Sequence, residues 1–354
     1  MDKVGLLTFH RTTNFGSSLQ TYGLYKAIEK EGYAPEIIDY RCPAIERREA
    51  ISQKWEGGIK GVAKEILLMP AIRKKAKNLE QFTESHMNKS VVYMPETIKE
   101  ADGKYKKYMI GSDIVWGRDI TEDDYAFFLD FVSDSTKKYA FSASSGGYEI
   151  REDETRLRRC LRDFAQIAVR EEAAVDWVKQ LSGKDADWVC DPTMLLTAEE
   201  WKGLFNLEQH YRDYVLVYFN DDSGKCIRDA IAYAKKYRKK VLMINYVLPV
   251  KGTKTVRPTT LDEFISLIYH ADAVFTASYH GMLFSIYFNK LLYFYSRAHS
   301  SRMFSLAKKL GIMARYGGDL CEINDALFDY FEINAKVKAF QEYSINILKG
   351  MLDS

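Results

Sequence analysis

The chain of 354 residues has little cysteine and no pairing pattern in what it has: five residues, at 42, 160, 190, 226 and 321, far apart and odd in number. That usage fits a reducing cytosol and argues against a disulfide framework or a thiolate metal site, so no metal is expected. No apolar run reaches the length of about 18 residues that a spanning helix requires. The chain enters an apolar strand near Lys3 without the charged, apolar and small-residue zones of a signal peptide, so a cytoplasmic location is the expectation. Charge of one sign is also missing: 51 Lys and Arg against 49 Asp and Glu leave +2, which supplies no global attraction to nucleic acid. There is no G-x-G-x-x-G loop. The first loop, Asn14-Phe15-Gly16-Ser17-Ser18, has one glycine, so dinucleotide binding with Asp39 as a ribose-binding acid is disfavoured. Internal repeats and low-complexity tracts are absent.

What is present is an ordinary globular composition, 47% hydrophobic and 28% charged, with 24 Tyr and 19 Phe. The aromatic rings can serve as stacking faces for sugars or reflect biased composition. The length allows two domains. Val4 to Phe9, a polar turn, a helix from Leu19 to Lys30 ended by Gly32, and a strand from Pro35 to Tyr40 make the first βαβ unit. Residues 45–100 read as a charged helical insertion. Strands follow at Tyr108 to Gly111 and Lys138 to Ser142. A second alternating block starts near 165, with strands at Gln166 to Val169, Asp187 to Cys190, Tyr214 to Phe219, Val241 to Tyr246, Ala273 to Thr276 and Leu291 to Tyr295. Alternation of this kind predicts an α/β protein of two doubly wound Rossmann-like domains, 1–164 and 165–330, and a C-terminal helix in 331–354 packing back across them. By analogy of fold, such a pair resembles the B-type glycosyltransferases, with sheet edges facing a cleft.

The most informative stretch is Ile268 to Lys290, IYHADAVFTASYHGMLFSIYFNK. Four apolar β-type residues, a small polar turn at Ala277 to Gly281 and an apolar-periodic helix read as a βα corner of a parallel sheet. Such a corner offers N–H groups and the positive helix end to an anion. His280 on it can trade protons near neutral pH, or cap the corner and bond backbone.

Thr-x-Ser-x-His-Gly-x-x-Phe-Ser-x-x-Phe-Asn-Lys at that corner resembles the polysaccharide pyruvyl transferase family. So do LLTFHRTTNFGSSLQTYGLYKAIEKEGY at the N-terminus, YMIGSDIVWGRDITEDDYAFFLDF, the Arg-Glu element in IAVREEAAVDWV and the Asp-Pro-Thr element in VCDPTMLLTAEEW. In order, these cover most of the chain outside 45–100. The resemblance implies transfer of a pyruvate ketal from phosphoenolpyruvate, as substrate rather than cofactor, to two hydroxyls of a sugar in a bacterial surface polysaccharide or its lipid-linked precursor. No cofactor or obligatory metal is implied.

The residues sort accordingly. His280 is the expected acid/base. Asp113 is expected to orient or deprotonate an acceptor hydroxyl, or else to cap the next turn. Arg170 offers a planar fork to a carboxylate or phosphate, or pairs with Glu171 or Glu172. Ser278, Tyr279, Gly281 and Arg302 complete the expected donor side. His10, Asn14, Gly16, Ser17, Gln20, Ser112 and Trp116 form the expected acceptor side, with Trp116 as a stacking ring and Ser17 or Ser18 as helix cap. Some branches of the family carry arginine where this chain has Ser278, which leaves Arg297, Arg302 or Arg315 to supply the cation. The basic amphipathic stretch 53–79 is expected either to touch the inner membrane surface or to face the core. Two rivals stay open: a B-type glycosyltransferase using a nucleotide-sugar, and a catalytically inactive glycan-binding protein.

Overall fold

The computed structural model describes residues 1–50, 58–147, 149–151, 154–219, 221, 223–247, 249–297, 301–318 and 329–354, with backbone alone for 58–68. Contacts divide the chain into two units: 1–50, 80–196 and 338–354 in the first, 51–79 and 197–337 in the second.

The first unit holds β1 (Lys3–Leu7), α1 (Phe15–Lys30), β2 (Ala34–Ile37), α2 (Pro43–Glu49) and the end of α3 (Gly58–His86). β3 (Lys107–Gly111), α4 (Arg118–Thr121), β4 (Lys138–Ala143), α5 (Thr155–Arg162), β5 (Gln166–Val169), α6 (Glu172–Ser182) and β6 (Asp187–Trp188) follow. Its six strands run parallel in the order β2-β1-β3-β4-β5-β6. Every residue of β3 and β4 is buried, the mark of a parallel sheet covered on both faces. α1 is buried without a break from Phe15 to Tyr25. A Cβ added at Gly23 on its outer side would lie 2.4 Å from the Pro192 carbonyl oxygen, so glycine lets the helix and the turn after β6 meet backbone to backbone.

The second unit holds α7 (Ala198–Leu204), β7 (Tyr214–Tyr218), α8 (Lys225–Lys236), β8 (Lys240–Ile244), β9 (Lys254–Val256) and α9 (Leu261–Tyr269). β10 (Ala273–Thr276), α10 (Tyr279–Tyr287), β11 (Leu291–Phe294) and α11 (Ser301–Leu310) complete it, and α12 (Tyr330–Asp353) closes the chain. Its five strands are also all parallel, ordered β11-β10-β7-β8-β9. Capping boxes fix the starts of α7 (Thr197 with Glu200) and α9 (Thr260 with Glu263).

Two sequence expectations change. The boundary expected at 164/165 lies near 196/197, because β5 and β6 add to the first sheet through pairs such as Tyr139 with Gln166 and Val169 with Trp188. The helix expected from Leu19 begins at Phe15, and its cap is Asn14, whose Oδ1 accepts from Gly16 N at 2.9 Å, rather than Ser17 or Ser18. The C-terminal helix forms as expected, and its residues from 338 onward count with the first unit.

Candidate functional site

Each sheet has one point where the strand order reverses, and α/β ligands bind at the carboxyl edge there. In the first sheet it lies between β1 and β3, in the second between β7 and β10. Most of the residues singled out in the sequence sit at these two points.

At the first, the loop after β1 and the turn after β3 are tied together. Thr8 Oγ1 donates to the Ser112 carbonyl at 3.0 Å. Gln20 Nε2 donates to Thr8 Oγ1 (3.0 Å), the Ser17 carbonyl (3.0 Å) and Thr21 Oγ1 (2.8 Å), while its Oε1 accepts from Ser112 N at 3.3 Å. Gln20 is therefore a fully buried strut rather than a ligand contact. Ser17 Oγ donates to Asp113 Oδ2 at 2.5 Å, and Asp113 Oδ1 accepts from Ile114 N at 2.9 Å. Asp113 has φ 73°, a left-handed conformation that aspartate tolerates better than most residues, and is half-buried. Gly16 is buried in the first turn of α1, behind the exposed Asn14 cap.

His10 is buried, with Nε2 3.1 Å from Asp39 Oδ1 and Nδ1 3.3 Å from the Thr8 carbonyl. Arg41 and Lys89 close on the same carboxylate at 2.9 and 3.9 Å. Burial pushes the Asp39 carboxyl up, but the His10 hydrogen bond with the charges of His10, Arg41 and Lys89 outweighs it and holds the group below the usual carboxylate value.

Two expected ligand contacts are corrected. Trp116 is 0% exposed; its ring stacks at 5.6 Å on Phe128 and at 5.9 Å on Trp177, and its Nε1 donates to the Phe127 carbonyl. A ring so enclosed has no face for a sugar. Arg170 also has a side chain 0% exposed. Its Nη1 donates to Asp191 Oδ2 at 2.8 Å and to Ser112 Oγ at 3.4 Å, so its charge is paired within the protein, and the carboxylate is neither Glu171 nor Glu172. Asp191 in turn accepts from Thr193 N and Oγ1 at 3.0 and 2.8 Å, shaping the exit from β6. Glu171 instead takes Ser144 Oγ at 2.7 Å and Gly146 N at 3.3 Å.

At the second reversal point Thr276 Oγ1, at the end of β10, donates to the Tyr218 carbonyl at the end of β7 and accepts from Ser278 N at 3.0 Å. Ser278 caps α10 by accepting from Gly281 N at 3.3 Å. The expected corner is thus formed as a strand, a cap and a helix, with His280 in its first turn. His280 is 7% exposed, and its ring stands perpendicular to that of Tyr279 at 5.4 Å. Tyr279 is itself buried and carries the Arg302 guanidinium 5.7 Å from its ring centre.

Two residues at this point were not singled out in the sequence. Tyr218 is buried; burial raises its phenol well above the ordinary value, with Arg297 and a hydrogen bond from Ser278 pulling the other way. Phe219 has φ 54°, is 40% exposed and lies under the Arg297 guanidinium at 4.8 Å. Their signal was available: the β7 exit is the partner corner of the β10 exit in any order that reverses between them. Of the three candidate cations, Arg297 and Arg302 are at this corner. Arg315 is buried against Tyr293, donating to its hydroxyl at 3.3 Å, and serves the core.

Among the described residues no group of three or more His, Cys, Asp or Glu has the arrangement to hold a metal ion, and no helix is long and apolar enough to cross a membrane. The basic stretch 53–79 lies outside the described side chains up to residue 68. From there on its apolar residues Met69, Ile72 and Leu79 are buried, and Lys75 Nζ lies 4.3 Å from the Tyr246 ring centre, so this part faces the core.

The sequence model of the family described as polysaccharide pyruvyl transferase matches residues 14–296, a span that includes the second reversal point and, of the first, β3 and α1 but not β1. No curated protein matches the sequence. Among solved structures, a putative UDP-N-acetylglucosamine 2-epimerase from Listeria monocytogenes is similar over 97% of this chain and 96% of its own, at 10% identity and a TM-score of 0.50. The UDP-GlcNAc 2-epimerase from Methanocaldococcus jannaschii is similar over 96% and 92%, at 12% identity and a TM-score of 0.47. UGT89C1 from Arabidopsis thaliana, complexed with UDP, is similar over 99% and 94%, at 12% identity and a TM-score of 0.44. At 10% identity the likeness to the first of these is one of fold alone, that of the B-type glycosyltransferase-like class with two Rossmann-like units.

Proposed function

Because the chain belongs to the polysaccharide pyruvyl transferase family, we propose that it transfers a carboxyethylidene group from phosphoenolpyruvate to two hydroxyls of one sugar, in a surface polysaccharide or its lipid-linked precursor. The observation that carries this reading is the family match over residues 14–296, with a histidine in the first turn of α10 at the reversal point of the second sheet.

The donor is a vinyl phosphate with a carboxylate. A proton adds to its C3 methylene, making a methyl group and leaving C2 electron-poor. One sugar hydroxyl bonds to C2 and loses its proton; the C2–O bond to phosphate breaks, and phosphate departs with the electron pair. The second hydroxyl bonds to the same carbon and loses its proton, closing the ketal. Of the two protons released, one balances that taken up at C3 and one goes to phosphate or solvent. We assign His280 the acid/base work, because imidazole exchanges protons near neutral pH. The first turn of α10 with Ser278, and the cations Arg302 and Arg297, are assigned to the donor's two anionic groups. Asp113, held by Ser17, is assigned to an acceptor hydroxyl.

The test is phosphate release from phosphoenolpyruvate with a pyruvylatable glycan, together with the new methyl resonance of the ketal. His280→Ala is expected to lower turnover by about 10²–10⁴ with little change in melting temperature. Undiminished turnover would remove the histidine from the chemistry. If phosphoenolpyruvate leaves the melting temperature unmoved and a nucleotide-sugar raises it, the protein is a glycosyltransferase instead.

A further inference from the structure

The edge of the first sheet opposite its reversal point carries a second feature, independent of the proposed transferase reaction. Where β3, β4 and β5 begin, a cavity of about 430 Å³ opens between the strand starts and the end of α12. Strands of four to six residues place it roughly 15 Å from the Ser17–Asp113 corner, at about 3.3 Å per residue. Five cationic side chains line it: Lys106, Lys107, Lys137, Arg162 and Lys184. The only acidic side chain in the lining is Asp163, and that carboxylate is already engaged by Lys138 at 3.7 Å.

Part of this charge has a local explanation. Lys184 Nζ donates to the Phe164 carbonyl, and Arg162 Nε to the Ser182 carbonyl at 3.4 Å. Cations there answer the negative ends of α5 and α6. Capping accounts for one N–H from each residue and leaves the rest of a guanidinium and an ammonium. The buried Lys107 likewise answers the end of α12, held by Tyr139 Oη at 3.3 Å and by Ser354 O and Oγ at 3.0 and 3.1 Å, and Lys137 lies 3.6 Å from Asp134. None of this accounts for Lys106, which has no side-chain partner among the described residues. The hydroxyls of Ser135 and Thr136 also line the space and suit a polar body.

We propose that this cavity binds a small phosphorylated ligand of sugar-phosphate size. A doubly charged phosphate meets the converging ammonium and guanidinium groups, and the hydroxyl-lined side accommodates the polar remainder. The volume falls within the range of small-molecule sites, about 300–1,000 Å³, and exceeds what inorganic phosphate needs.

The experiment is calorimetric titration of the whole protein with glucose 6-phosphate, glucose and inorganic phosphate. It is repeated on a Lys106→Ala/Lys137→Ala variant, which removes an exposed and a half-buried side chain and spares the buried lysines. Glucose 6-phosphate should bind, glucose should not, inorganic phosphate should bind more weakly, and the variant should lose at least about tenfold in affinity for the sugar phosphate, the result of forfeiting roughly 1.4 kcal/mol. The variant should keep the same thermal stabilisation by phosphoenolpyruvate as the parent protein. Absence of glucose 6-phosphate binding, an unchanged affinity in the variant, or equal affinity for inorganic phosphate would each overturn the proposal.

Discussion

The Ser17 hydroxyl donates to the Asp113 carboxylate at 2.5 Å, joining the first helix of the chain to the turn after β3 across the point where the first sheet reverses its order. The hydroxyl holds one carboxylate oxygen and the Ile114 amide the other, which fixes the group in a half-buried position. Asp113→Asn keeps the size and tolerates the left-handed backbone; its amide oxygen can still accept from Ile114 N, while its NH₂ donates to Ser17 Oγ, whose hydroxyl turns to accept. It removes the charge and the basicity. Folding stability should therefore stay within about 1 kcal/mol, while turnover on glycan falls by about 10²–10⁴ if this carboxylate handles an acceptor proton. Urea unfolding and phosphate release measured on the same preparation separate the two. A variant with full turnover would reduce Asp113 to a turn-shaping residue.

The pair Arg170–Asp191 is tested through folding stability. Both side chains are 0% exposed. Removing one partner strands a buried charge, which costs about 3–5 kcal/mol. Asp191→Leu and Arg170→Met should each lower the urea midpoint by an amount on that scale. The double variant should lose less than the sum, because no unpaired charge is left. Full additivity of the two single effects would show that the groups do not act as a pair.

These cases mark what was legible in the chain. Fully buried parallel strands announce themselves as apolar runs, which is why the bounds of β5 and β10 match the sequence reading residue for residue. The β10–α10 corner was also plain, since a short polar turn with Ser278 can be read locally as a cap. Partners distant in the chain left no such trace. Arg170 finds Asp191 twenty-one positions later, and Trp116 disappears between Phe128 and Trp177, although its neighbourhood in sequence looks like a ligand loop. The domain boundary was misplaced because a βα unit reads the same whichever sheet it joins. β9, three residues running from exposed to buried, is too short for a periodicity to register, and the strand read at Asp187 to Cys190 forms only over Asp187–Trp188.

Acid should act on the cluster of His10, Asp39, Arg41 and Lys89. The folded Asp39 carboxyl titrates below its unfolded value, near 3.9 for a free aspartate (roughly). The stabilisation it brings is therefore complete above that unfolded value and disappears as the pH falls through the lower, folded one. Unfolding midpoints in urea, followed downward from pH 6, should drop more steeply below about pH 4 in the parent protein than in Asp39→Asn. Parallel curves for the two proteins would mean that the cluster contributes no linked stability.

Gly281 tests how tightly the second corner is built. In an open helix, exchanging glycine for alanine gains up to about 1 kcal/mol in propensity. Here an added Cβ would lie 2.7 Å from Thr276 Oγ1 and 2.9 Å from Tyr218 Cδ1, both closer than carbon atoms settle. Neither neighbour is free to swing aside. Thr276 Oγ1 is held between the Tyr218 carbonyl and Ser278 N, and the Tyr218 ring is buried against Phe264 at 4.9 Å. Overpacking of this kind costs about 1–3 kcal/mol and outweighs the propensity gain. Gly281→Ala should therefore unfold earlier than the parent protein and should weaken phosphoenolpyruvate binding, since displacing α10 moves its first turn and His280 together. A gain in melting temperature would show that the corner yields, and with it that the register of α10 on β10 is looser than these contacts require.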